Sequence, residues 1–78
     1  MNNTEKYQNA FSEAFNIETE KMAGLKYQDI PEWDSVGHMT LIAILEDVFD
    51  IMMDTDDIID LGSFEKGAEI LKKYDIDM

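Results

Sequence analysis

The chain has 78 residues, enough for one compact domain, but a domain of that size buries only about 60% of its unfolded surface, so no deep pre-formed active-site pocket is expected. Hydrophobic residues make up 45% and charged residues 31%, which favours a folded globule over a disordered chain. The 18 Asp and Glu against 6 Lys and Arg give a formal net charge of −12. Nucleic-acid phosphate and anionic lipid are repelled by such a surface, whereas proteins with basic patches are attracted, with a steering that salt weakens.

There is no cysteine, hence no disulfide, no thiolate metal site and no nucleophilic sulfur. Residues 1–16 lack the basic flank and apolar core of a signal peptide. No apolar run approaches the roughly 20 residues that a bilayer span needs. A cytoplasmic monomer is the expectation.

Tyr7, Phe11 and Phe15 recur at i, i+4 and i+8 beside Ala10 and Ala14, which predicts a helix from about residue 3 to residue 16, capped by Asn2 or Asn3. Residues 17–34 contain Gly24 and Pro31 and show no sustained period. Met22, Leu25, Tyr27, Ile30 and Trp33 are the apolar anchors of what reads as a long pinned loop spanning the bundle from end to end. Asp34 is a good N-cap for a second helix that begins at Ser35 and continues to about residue 50. Steps of about 100° put Leu41, Leu45, Val48 and Phe49 in one core stripe, with Ile42 and Ile44 on its margins. On the opposite face Val36, Met39 and Ala43 come together, bordered by Thr40, Glu46, Asp47 and Asp50. An apolar strip with acidic edges suits either burial in a small bundle or a partner-binding surface.

Thr55 can cap a short helix over residues 56–60 or 56–61, and Gly62 suits a left-handed C-terminal turn. Ser63 caps a last helix in which Phe64, Ala68 and Leu71 share a face with Gly67 and Tyr74. Gly67 weakens that helix by about 1 kcal/mol relative to Ala but lets a neighbour approach closely. Residues 75–78 are expected to fray. The fold predicted is all-α: a small antiparallel-type four-helix bundle of three main helices plus one short one, with residues 1–78 as a single domain.

Three chemistries can be weighed on this frame. Ser35 and His38 are three apart, but both sit on the first turn of one helix and His38 turns toward the core side. No Gly-x-Ser-x-Gly elbow or oxyanion site accompanies them, so no catalytic residue is assigned and the chain is not expected to be an enzyme. His38 reads instead as a hydrogen-bonded residue packed at the helix start, near Trp33. Asp54, Asp56 and Glu65 match positions 1, 3 and 12 of a calcium loop, but Ile58 and Ile59 fall where an oxygen ligand and a glycine are required, so no metal site is assigned.

The third is an attachment site. The run Trp33-Asp34-Ser35-Val36-Gly37-His38-Met39 at the start of an apolar helix that ends in Glu46-Asp47-Val48-Phe49, in a small acidic bundle with a short third helix, resembles the acyl carrier protein family over nearly the whole chain. The resemblance implies that Ser35 carries 4′-phosphopantetheine, attached from coenzyme A by a phosphopantetheinyl transferase that uses magnesium. It implies that Asp34 contributes to recognition by that transferase, and that the thiol missing from the chain is supplied by the arm and holds an acyl group as a thioester. It also makes the second helix a docking surface, with Val36, Met39 and Ala43 as apolar contacts and Glu46 and Asp47 as charges. The partners implied are an acyl-loading ligase or acyltransferase and downstream enzymes with basic patches.

Val36 stands where the family commonly has Leu, Gly37 where fatty-acid carriers often have an acid, and Thr40 where they often have Glu. With Gly37 read as room for another protein to reach the serine, these departures look more like stand-alone carriers of specialised pathways, making polysaccharides, polyketides or related products, than a carrier of bulk fatty-acid synthesis. The alternatives are a peptidyl or aminoacyl carrier and a helical adaptor that carries nothing.

Overall fold

The aromatic period of the first segment becomes a helix because both of its ends are closed by asparagine. In the computed structural model, which describes residues 2–78, Asn2 Oδ1 accepts from the Glu5 amide at 2.8 Å. Asn16 takes the left-handed conformation at φ 53° and returns its N–H to the Ser12 carbonyl. Between these caps α1 (Asn3–Phe15) buries Tyr7, Ala10, Phe11 and Phe15, and it packs against α2 (Ser35–Phe49). Phe11 is the hub of the core, with ring centroids 5.0 Å from Tyr7, 5.7 Å from Phe15, 5.4 Å from Trp33 and 5.0 Å from Phe64. The described residues are 62% helical, in four helices with no strand among them, as the sequence predicts.

α2 starts and stops where expected, with Asp34 as N-cap and Asp50 as a left-handed C-cap at φ 53°. Its buried face is rotated from the expected one. Leu41, Ile42 and Leu45 are buried, Ile44 and Phe49 are half-buried, and Val48 is 38% exposed. His38, Ile42, Leu45 and Phe49 share the inward flank of α2, whereas Val48 lies on the other margin, beside Ile44, in the last turn of the helix.

The connecting loop is pinned by Met22, Leu25 and Trp33, all buried, and contains one 3₁₀ turn, Thr19–Lys21. It crosses the junction between α3 (Thr55–Asp60) and α4 (Phe64–Leu71). The Tyr27 amide donates to the Gly62 carbonyl and the Phe64 amide to the Leu25 carbonyl, both at 2.9 Å, around an antiparallel bridge of Lys26 with Ser63. Because the chain at residue 62 is engaged in that bridge, Gly62 does not take the left-handed turn expected of it. Thr55 is the first residue of α3 and not its cap. Asp54 occupies the cap position without a side-chain cap bond, and its amide donates to Tyr74 Oη at 2.9 Å.

Ser63 caps α4 as expected, accepting from the Lys66 amide at 3.0 Å. Gly67 is required by a close approach: a Cβ there would collide with the Tyr7 hydroxyl and meet Leu61 Cδ2 at 3.2 Å. That hydroxyl is fixed, donating to the Phe64 carbonyl at 2.6 Å, and burial, with Glu65 nearby, pushes its pKa far above the usual tyrosine value.

The C-terminus departs from the expectation of fraying. After the 3₁₀ turn Lys72–Tyr74, Ile76 re-enters the core at 7% exposure. Asn3 Nδ2 donates to the Asp77 carbonyl at 3.0 Å and Thr4 Oγ1 to the Met78 carbonyl at 3.3 Å. Ile76 is the anchor that the short polar tail concealed. No helix among the described residues is long and apolar enough to cross a membrane.

Asp57 is the one charged residue buried among those described. Lys73 Nζ donates to its Oδ1, and Tyr74 Oη donates to its Oδ2 at 2.6 Å, so α3 is tied by a carboxylate to the 3₁₀ turn that follows α4. The Lys73 bond, then the Tyr74 bond, hold the Asp57 carboxyl below the usual aspartate value, and the same pairing raises Lys73. A depressed carboxylate stabilises the fold above its unfolded pKa and loses that contribution as pH falls through the folded one. The melting temperature of Asp57→Asn should therefore lie below wild type at neutral pH. The gap should close as pH drops below the ordinary aspartate value of 3.8. A pH-independent gap in thermal melts would show that the carboxylate charge is not what ties α3.

Candidate functional site

Ser35 is the first residue of α2 and is exposed. Asp34, extended at φ −105°, places it there by closing the turn from both sides. Its Oδ1 accepts from the Gly37 amide and its carbonyl oxygen from the His38 amide, each at 2.8 Å. The Ser35 and Val36 amides remain as the donors at the positive end of the helix that a phosphate on the Ser35 hydroxyl could meet.

Gly37 has a different reason from the one read off the sequence. A Cβ at residue 37 would fall on the Glu32 carbonyl oxygen and come within 3.3 Å of Phe15 Cε1. The space beside the serine's helix is filled by the protein's own loop, not left open to a partner.

Of the strip on the outer face of α2, Val36 is 74% exposed and Met39 53% exposed, and Ala43 and Asp47 are exposed as well. Glu46 is different. It is half-buried, and its Oε2 accepts from the Met53 amide at 2.9 Å, closing the turn between α2 and α3. Thr40 folds its hydroxyl back onto the Val36 carbonyl at 3.1 Å.

Beside Ser35 lies an apolar cavity of about 370 Å³, lined by Tyr27, Ser35, His38, Met39, Ile58, Ile59, Leu61 and Gly62. Its volume is in the range of small-ligand sites. Sequence reasoning took Ser35 as an attachment point and Met39 as a docking contact, with no deep pocket expected, and so missed the cavity together with its α3 wall and Tyr27. The signal available was the Ile58-Ile59 pair, since adjacent residues of a six-residue helix cannot both face the core. Ile58 is half-buried and Ile59 is 72% exposed.

His38 packs as the sequence suggested, with its ring parallel to Trp33 at 13°. Trp33 Nε1 donates to His38 Nδ1 at 3.0 Å, and His38 Nε2 lies 2.7 Å from the Ile58 carbonyl oxygen. Both ring nitrogens are thus engaged away from Ser35. The acids of the calcium template do not converge: Glu65 Oε2 accepts from the Gly24 amide at 2.9 Å, and Asp56 is exposed on α3. Compared with protein-family models, curated proteins and solved structures, the chain matches none.

Gly37→Ala should lower stability by about 1–3 kcal/mol in urea unfolding, as overpacking against a backbone atom does, although Ala favours a helix by about 1 kcal/mol. An unchanged or raised midpoint would mean that the Glu32 segment yields.

Proposed function

We propose that the chain is a carrier of the acyl carrier protein type, with Ser35 as the attachment point for 4′-phosphopantetheine. The observation that carries this reading is the position of Ser35: an exposed hydroxyl on the first residue of a capped helix, at the rim of an apolar cavity. The engagement of both His38 nitrogens by Trp33 and Ile58 supports a serine that receives a group over one activated to attack. When attached, the arm supplies a thiol that holds an acyl group as a thioester. The chain's own residues have the other tasks: Asp34 orients the serine's turn, the Ser35 and Val36 amides would hold the phosphate, and the cavity would offer the acyl group an apolar environment. The pathway proposed is a specialised one, in polysaccharide, polyketide or related synthesis.

The docking surface proposed is the exposed strip of α2, extended by Ile59 of α3. Charge placement supports a basic partner. All six Lys lie outside residues 27–65, the span that holds α2 and α3, and that span carries Asp34, Asp47, Asp50, Asp56 and Asp60. Attraction of this kind raises the encounter rate and suppresses wrong partners.

Incubation of the apo-protein with a promiscuous transferase and coenzyme A should raise its intact mass by one phosphopantetheinyl group, and Ser35→Ala should abolish the gain. A wild-type protein that gains nothing sinks the carrier reading. For docking, Asp47→Lys should slow acyl transfer by about tenfold at low salt with the melting temperature unchanged. Glu46→Lys should lower stability as well, because it removes the acceptor of the Met53 amide. Transfer rates insensitive to Asp47→Lys would exclude that edge of α2.

A further inference from the structure

α3 has six residues, too few to be stable as a helix by themselves. Even so, Ile58 and Ile59, with Leu61 just beyond the helix, form one wall of the cavity beside Ser35. The N-terminal end of α3 is held by the end of the chain, through Asp54 and Asp57 on Tyr74 and Lys73. On the cavity side the tie comes from α2, where His38 meets the Ile58 carbonyl oxygen at 2.7 Å.

Geometry decides which way that contact runs. An indole N–H only donates, and Trp33 Nε1 lies 3.0 Å from His38 Nδ1. Nδ1 is therefore the acceptor, the ring proton is on Nε2, and Nε2–H donates to Ile58. Trp33 is fully buried, so its N–H has no water to turn to if the imidazole moves. The imidazole lies nearly parallel to the indole, at 13°, as that in-plane bond requires, and the Tyr27 ring stands close to perpendicular to it at 79° with centroids 5.7 Å apart. Its orientation and its tautomer are both imposed from the buried side.

We propose that His38 is a positioning residue of the cargo site: its Nε2–H bond to Ile58 latches α3 against α2 and sets the width of the cavity beside Ser35. Release of the latch lets α3 swing on its Asp57–Tyr74 tie, widening the mouth at Ile59 for an acyl group to enter or leave. The proposal rests on the carrier reading of Ser35. It assigns His38 no contact with the reacting atoms, only control of the wall that shelters the cargo.

The test uses the full chain loaded with a hexanoyl group by a promiscuous transferase and hexanoyl-coenzyme A, as wild type, His38→Phe and His38→Gln. Phenylalanine keeps a ring without a donor, and glutamine keeps an amide N–H for Ile58. In His38→Phe the Ile58 and Leu61 amides should exchange with solvent about tenfold faster, the change expected for losing one hydrogen bond. Its hexanoyl thioester should react with hydroxylamine about three- to tenfold faster. His38→Gln should recover most of both effects, and all three proteins should gain the same mass on Ser35. The nitrogen-15 spectrum of wild-type His38 should place the ring proton on Nε2; a proton on Nδ1 overturns the latch without need of any variant. Normal loading with unchanged exchange and thioester lifetime in His38→Phe also overturns it. Loss of mass gain in wild type overturns the carrier reading instead, and the exchange comparison on the unloaded proteins still decides whether His38 holds α3.

Discussion

The indole of Trp33 is the constraint from which the rest of the site follows. Its ring is wholly buried, lying against Phe15 at 5.1 Å and 27° and meeting Phe11 edge-on at 5.4 Å. A buried N–H without an acceptor costs about 1–3 kcal/mol, so the fold must bring one to it. His38, five residues on, is that acceptor, and meeting it requires α2 to begin between the two. The backbone around Trp33 is closed in the same place, with its amide on the Ile30 carbonyl and its carbonyl on the Gln28 amide. Two residues after Trp33 the chain emerges at the surface with Ser35. The serine is thus positioned by a buried side chain and is free to be exposed.

A net charge of −12 on so small a chain sets a second problem, because self-repulsion opposes compaction. Ion pairing does little to solve it: among the described residues the salt bridge is that of Lys73 with Asp57. The acids are used instead as acceptors for backbone amides, Asp34 for Gly37, Glu46 for Met53, Glu65 for Gly24 and Asp29 for Lys26. Asp34, Glu46 and Asp29 close local turns and Glu65 ties the long loop to the first turn of α4, each giving a backbone donor its partner. The same carboxylates therefore serve the loops and supply the field around α2 and α3.

Much of this was legible in the sequence because it is local. The period of Tyr7, Phe11 and Phe15, the caps at Asp34 and Ser63, and the opposed faces of α2 follow from residues within a turn or two of one another. What could not be read depends on residues far apart in the chain. The tail is ordered because Ile76 is buried and its last carbonyls meet Asn3 and Thr4. Gly62 is not a left-handed turn because Tyr27, from the long loop, claims its carbonyl. At the site, Ser35, Val36 and Met39 could be placed by helical angle alone. The cavity could not, since Tyr27, Met39 and Ile58 reach it from three different segments.

On the carrier reading, the surface around Ser35 would divide the work of recognition by distance. Gly37 cannot carry an acid here whatever the partner, because the Glu32 carbonyl occupies the position of its Cβ, and Thr40 turns its hydroxyl to its own helix. The first two turns of α2 therefore offer Val36 and Met39 as contact, with Asp47 and Asp50 displaced toward the far end and Glu46 partly withdrawn into the Met53 turn. Charge acts over about a Debye length, roughly 8 Å at physiological salt, whereas apolar contact acts only on touching. An acidic field set back from an apolar rim raises the rate of encounter, while the lifetime of the complex is left to the small apolar patch. Such a patch gives brief residence, which suits a chain whose task, on the carrier reading, is to leave one enzyme and reach the next.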